Sequence, residues 1–206
     1  MSLAEYQRNG FITDNGFEAT VMCQQVFGGH GYIKESGMEQ FVRDSRIAQI
    51  YEGTNGVQAM DLIGRKIPEG DGRLAKRFLG MAQKDLASAS DPRVQELAKP
   101  VGEAMALLQK ATMTVMGRAQ KDPNELGAAA AEFLRMFGLV SVGWMWVRMA
   151  SVAAAKPDAG TAGSVSANKL VTARFYVSKL LPQVRALAAQ IDAGAATVME
   201  IPAEAF

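Results

Sequence analysis

Cysteine and histidine are almost missing from this chain of 206 residues, which has one of each. Cys23 alone cannot form an intramolecular disulfide, and that fits a reducing compartment, so a cytoplasmic location is expected. Cys23 falls in an apolar helical pattern with Val21, Met22, Val26 and Phe27, which predicts a buried structural thiol. His30 is the only candidate for the histidine of a catalytic triad, and no Cys or His cluster has metal-ligand spacing, so no metal site is expected. His30 itself reads as a loop or interface residue. A surplus of either charge is missing too. Lys plus Arg total 22 against 21 Asp plus Glu, interspersed along the chain, which gives no reason to expect a nucleic-acid or acidic-membrane partner. The most apolar stretch, 136–147, has 12 residues; that is too short for a bilayer and reads as a buried core helix, so no membrane span is expected. The start lacks a charged segment followed by an apolar run, so no secretory signal is expected, and Met1-Ser2-Leu3 reads as an added leader.

Strand signals are scarce as well, and what remains is helical. Apolar positions recur at helical spacing, and Ala and Met are abundant, so the fold is expected to be all-α. Phe17, Val21, Met22, Gln25 and Val26 trace one face of a helix over 15–27, which should stop at Gly28-Gly29. A short helix over 37–47 follows, with Glu39 and Arg43 spaced for an i,i+4 pair. Thr54 can cap a third helix over 55–65. The stretch "KIPEGDGR", 66–73, is the best internal boundary, and beyond it the texture changes to long amphipathic helices. Asp91-Pro92 opens one of these with a cap and a first-position proline, and Pro100 should bend or interrupt it. Asp122-Pro123-Asn124-Glu125 resembles a capping box opening the next, in which Gly127, Gly138 and Gly143 would let a neighbour approach. After the turn "KPDAGTAGS", 156–164, a last helix over 166–192 contains Pro182. Four helices joined by short turns predict an up-and-down bundle.

The motifs divide opinion when taken singly. "FGGHGY", 27–32, has the glycines of an anion-binding loop, but it lacks both the Rossmann spacing and a Walker lysine, and a plain helix stop is favoured. "EQFVRDSR", 39–46, reads as an ion-paired helix face, and Met136, Trp144, Met145, Trp146 and Met149 read as core or packing surface. Glu52 stands between Tyr51 and Gly53 in a loop punctuated by Gly and Asn, between two apolar-periodic segments. A solvated turn and a positioned base are both open readings of it.

Within residues 24–66, three motifs occur together: Gln25-x-x-Gly28-Gly29-x-Gly31-Tyr32, Arg43-Asp44, and Ile50-Tyr51-Glu52-Gly53-Thr54. At this spacing they resemble the C-terminal helical domain of the flavin-dependent acyl-CoA dehydrogenases. The remainder, from near Leu74, resembles the extra helical domain of one large subgroup that includes the 3-methylthiopropanoyl-CoA dehydrogenases, and "YEGTNGVQAMDL" is closest to that subgroup. Residues 1–66 are then the end of the dehydrogenase helical domain, 67–73 a linker, and 74–206 the added bundle.

The resemblance implies that Glu52 removes the α-proton of an acyl-CoA thioester while the β-hydrogen leaves as hydride to the flavin N5, giving the trans-2-enoyl-CoA. An α-proton beside a thioester is weakly acidic, so such a base needs a dry site and a raised pKa. Tyr51 and Gly53 fall on the substrate side, with Gly53 beside the thioester. The counterparts of Thr54 and Asn55 touch FAD, and those of Gln25, Gly28 and Gly29 reach the FAD of the neighbouring subunit. A homo-oligomer, dimer or dimer of dimers, is therefore expected, with an electron-transferring flavoprotein as electron acceptor. Gly56 departs from the family: many relatives have a glutamine there that also contacts FAD, so this contact is absent or supplied by Asn55 or Gln58. The family's N-terminal helical domain and middle β-domain have no counterpart in these residues, so the chain is expected to be a C-terminal fragment, inactive alone. The competing expectation is an all-helical interaction or oligomerisation module with no activity. A reading frame continuing upstream into a β-domain would separate the two.

Overall fold

The computed structural model describes residues 7–51 and 53–205. Every regular element among them is helical. The α-helices are α1 (Thr13–Val26), α2 (Met38–Ile47), α3 (Asn55–Asp61), α4 (Glu69–Ala87), α5 (Pro92–Ala119), α6 (Asn124–Ala154), α7 (Val165–Phe175) and α8 (Gln183–Ala193). From α4 onward they form an up-and-down bundle whose fourth rod is α7 and α8 in series. This is the all-α architecture that the helical periodicity predicts.

α5 and α6 hold the centre. Asp91 caps α5 by accepting from the Arg93 backbone N–H at 2.9 Å, and Pro92 occupies the first turn, where no donor is lost. The helix runs on through Pro100 without the expected interruption. One backbone hydrogen bond is forfeited there, but Leu97, Val101, Ala104, Met105 and Leu108 are buried on both sides of it and hold the rod together. α6 starts from Asp122, whose carboxylate accepts from the Asn124 N–H at 2.9 Å. The expected reciprocal bond from Glu125 is not made; that side chain accepts instead from the Ala195 N–H, past the end of α8. α6 has 31 residues and is long and apolar enough to cross a bilayer, but 61% of its most apolar window is buried inside the bundle. Phe133, Met136, Val140 and Val147 lie within 1% of full burial, as a core helix requires.

The last rod is broken rather than continuous. Tyr176–Leu180 forms a π-helical turn, and Pro182, having no N–H, begins α8 instead of prolonging α7. The wider turn brings Tyr176 onto α6, where its hydroxyl donates to the Leu139 carbonyl at 2.8 Å. At Gly143 a methyl group would lie 3.4 Å from Val101 and Leu181, a close but ordinary contact. Gly127 has no such role: nothing lies within 4 Å of an added methyl.

The backbone reverses at Gly70, Asp71 and Gly72, all left-handed (φ 59°, 56° and 73°), within the stretch read as a linker. Apolar contact does not stop there. Phe11, Ala59, Leu62, Ile63 and Ile67 are buried in the same continuous core as the bundle. A methyl group on Gly138 of α6 would overlap the Phe11 ring, and one on Gly10 would overlap Leu134. The first helical segment is thus rooted in α6, while α1 and α2 beyond that root contain no fully buried residue.

Candidate active site

α1 and α2 pack on each other through small polar and aromatic contacts. The Thr20 and Ser45 hydroxyls are hydrogen-bonded at 2.9 Å, and the Arg46 guanidinium lies 5.8 Å from the centroid of the Phe17 ring. Glu39 and Arg43 do not pair; the i,i+4 contact on α2 runs from Gln40 to Asp44 at 2.7 Å. Cys23 is exposed, not the buried thiol that its apolar neighbours suggested, because its side of α1 is left uncovered among the described residues. Met22, Val26, Phe27, Tyr32 and Phe41 are exposed with it.

Between α2 and α3 the chain makes one tight turn. It is closed at its base by the Asn55 N–H donating to the Gln49 carbonyl at 3.3 Å. Tyr51 N–H donates back to the Ile47 carbonyl at 3.1 Å, and the Thr54 hydroxyl caps α3 by accepting from the Val57 N–H at 3.4 Å. Gly53 has φ +87°, a conformation that L side chains rarely adopt, which is the local reason for glycine there. Asp14, on the first turn of α1, reaches the base of the same turn. Its Oδ1 accepts from Gln49 Nε2 at 2.6 Å and from Asn55 Nδ2 at 2.5 Å. The other Asn55 Nδ2 hydrogen is shared between the Gly10 carbonyl at 3.2 Å and the Thr13 hydroxyl at 3.0 Å.

The glycine motif lies at the other end of α1. The helix ends at Val26, and Gly28 (φ +57°) turns the chain into a 3-10 turn over Gly28–Gly31. Gly31 is buried beneath it, so that a methyl group would press on the Phe27 side chain at 2.9 Å, and its carbonyl accepts from Gln24 Nε2 at 3.0 Å. Gly29 and His30 are exposed, and nothing lies within 4 Å of a methyl group added at Gly29.

Two groups of expected site residues therefore stand apart. Tyr51, Gly53, Thr54 and Asn55 share the α2–α3 turn, whereas Gln25 lies 11 residues beyond Asp14, about 16 Å along the axis of α1, and Gly28 and Gly29 follow the end of that helix. Glu52 lies outside the described residues. Gln25, Gly28, Gly29 and Thr54 are exposed and can meet a group outside the chain, and the space over Gly29 is open. Asn55 does not fit that role with its side chain, whose amide is committed to Gly10, Thr13 and Asp14. Asp14 has no signal in its own neighbourhood of the sequence; it meets the turn only through tertiary contact, with Gln49 and Asn55 at 35 and 41 positions along the chain, and no local pattern marks that. A cavity of about 450 Å³ between α4 and α5, lined by Phe78, Leu79, Leu108, Met113 and Met116, includes none of these residues. Among the described residues no three His, Cys, Asp or Glu side chains gather where they could hold a metal.

Comparison with known proteins accounts for nearly the whole chain. Residues 78–202 match the family described as "Acetyl-CoA dehydrogenase C-terminal like", and residues 11–67 match "Acyl-CoA dehydrogenase, C-terminal domain". A 3-methylmercaptopropionyl-CoA dehydrogenase of Ruegeria pomeroyi is 34% identical over 179 residues, covering 86% of this chain and 30% of that protein. The broad-specificity linear acyl-CoA dehydrogenase FadE5 of Mycobacterium tuberculosis is 31% identical over 208 residues, covering 96% of this chain and 34% of that protein. A butyryl-CoA dehydrogenase of Syntrophomonas wolfei is 25% identical over 200 residues, covering 95% and 33%. The chain spans about a third of the length of these relatives. With both of these family matches, one of them over more than half of its residues, the chain belongs to the acyl-CoA dehydrogenase family.

Proposed function

We propose that this chain is the C-terminal part of an FAD-dependent acyl-CoA dehydrogenase that converts an acyl-CoA thioester to the trans-2-enoyl-CoA. The observation that carries the reading is the closed turn over 49–55, which puts Tyr51, Gly53 and Thr54 at one exposed edge of a chain that belongs to this family.

In this reading the carboxylate of Glu52 takes the α-proton of the thioester. Bound FAD supplies the two-electron acceptor, taking the β-hydrogen as hydride, so the electron pair of the α C–H bond becomes the new C=C bond. Gly53 has no side chain to obstruct the thioester. Thr54 would lie beside bound flavin, and the exposed Gln25, Gly28 and Gly29 would hold the FAD of a second subunit in a homo-oligomer. An electron-transferring flavoprotein then receives the electrons, in the cytoplasm.

The 206-residue chain alone carries only edge contacts to FAD, and association costs several kcal/mol of lost freedom before any contact counts. The chain by itself is accordingly colourless and inactive. The test is to purify the full-length protein and incubate it with a series of acyl-CoA thioesters and a dye acceptor, reading products by mass spectrometry. Stoichiometric FAD and an enoyl-CoA two mass units below its substrate are expected. A full-length protein without flavin, or without enoyl product from any chain length, would refute the reading.

A further inference from the structure

We propose that Asp14 is a positioning residue for the α2–α3 turn, clamping both of its ends with one carboxylate oxygen; its bearing on the reaction rests on the reading of Glu52 as the base. The two side chains that Asp14 Oδ1 accepts from, Gln49 and Asn55, are the residues whose backbones close the turn at its base. A charged acceptor strengthens both bonds, which are 2.6 and 2.5 Å long.

The clamp extends on both sides. Gln49 Oε1 accepts from Arg46 at 2.9 Å, so its amide is strung between a cation and an anion. That arrangement admits one orientation only, because the flipped amide would aim N–H at a guanidinium and oxygen at a carboxylate. Asn55 is fixed by Gly10 and Thr13 as well as by Asp14. Phe11, between Gly10 and Thr13, is seated in α6 against Gly138. A continuous path therefore leads from the bundle core through 10–14 to the two ends of the turn, and gives the added bundle a part in holding it. An acid at the start of a helix also favours that helix through its N-terminal dipole, but that role would need no contact with residues 35 and 41 positions away.

Hydrogen exchange on the 206-residue chain tests the clamp without reference to catalysis. Asp14→Ala should speed exchange at the Tyr51, Asn55 and Gln58 amides, whose acceptors lie within or beside the turn, by about tenfold or more while α5 and α6 amides are unchanged. Asp14→Asn keeps one acceptor oxygen and should restore most of the protection. In the full-length enzyme Asp14→Ala should then lower the rate of flavin reduction by about tenfold or more, with KM changed less than twofold, and Asp14→Asn should recover much of it. Unchanged exchange in Asp14→Ala would overturn the clamp. Loss of protection throughout α5 and α6 would mark a merely structural residue and overturn it too. Faster exchange at the turn with an unaltered reduction rate would overturn the positioning role. Failure of Glu52→Gln to slow the reaction would instead strike the base assignment and leave the exchange result standing.

Discussion

The ring of Phe11 occupies the space that a side chain on Gly138 would need. This contact, with that of Gly10 on Leu134, joins the segment before α1 to the central helix of the bundle, and it makes two opposite substitutions equivalent in effect. Phe11→Ala empties the slot and should lower unfolding free energy by about 3–5 kcal/mol, the usual cost of a buried Phe-to-Ala change. Gly138→Ala fills it and should cost about 1–3 kcal/mol by overpacking. Urea unfolding followed by the fluorescence of Trp144 and Trp146 checks both. If either variant matched the parent, the segment would not be docked as described.

Gly28 and Gly29 are adjacent but differ in what holds them. Gly28 has φ +57°, so Gly28→Ala should destabilise the chain by about 1–2 kcal/mol through left-handed strain alone. Gly29 has no such φ and its surroundings are open, so a side chain there carries no dihedral penalty. Gly29→Val should leave the melting temperature of this chain unchanged and lower FAD retention in the full-length protein. Equal FAD content in parent and variant would return Gly29 to the role of a plain helix stop.

The acid limb of stability should contain a contribution from Asp91. Its side-chain hydrogen bond with Arg93, at 2.7 and 3.0 Å, brings its pKa down to about 2 from an ordinary 3.8. The folded value is the depressed one, so the unfolded chain takes up the proton first as pH falls. The stabilisation is complete above about pH 4 and is lost between about pH 4 and pH 2. Parent and Asp91→Asn should therefore differ in stability at pH 6 and converge near pH 2. A difference independent of pH would mean that the cap acts only through its geometry.

The helices were legible because their causes are local. Thr54, Asp91 and the Gly28–Gly31 stop act within four residues of themselves, and each is where sequence spacing puts it. What escaped the sequence was set at a distance. Pro100 is carried by burial on both of its flanks, and Pro182 ends a helix because a π-helical turn precedes it. Glu125 leaves its own helix start for Ala195, and Cys23 lies open because its side of α1 is left uncovered among the described residues. The same limit applies to the site. The glycines and the turn can be read from spacing and resemblance, but Asp14 bonds residues 35 and 41 positions away and is ordinary in its own neighbourhood.

The central claim is that Glu52 supplies the base, and the most direct measurement is flavin reduction in the full-length enzyme bearing Glu52→Gln. The amide keeps the size of the side chain and removes its capacity to accept a proton. Anaerobic mixing with a substrate acyl-CoA should then bleach the bound flavin about a hundred- to ten-thousand-fold more slowly than in the parent, the usual worth of a general base, with FAD content unchanged. Bleaching at the parental rate would contradict the account.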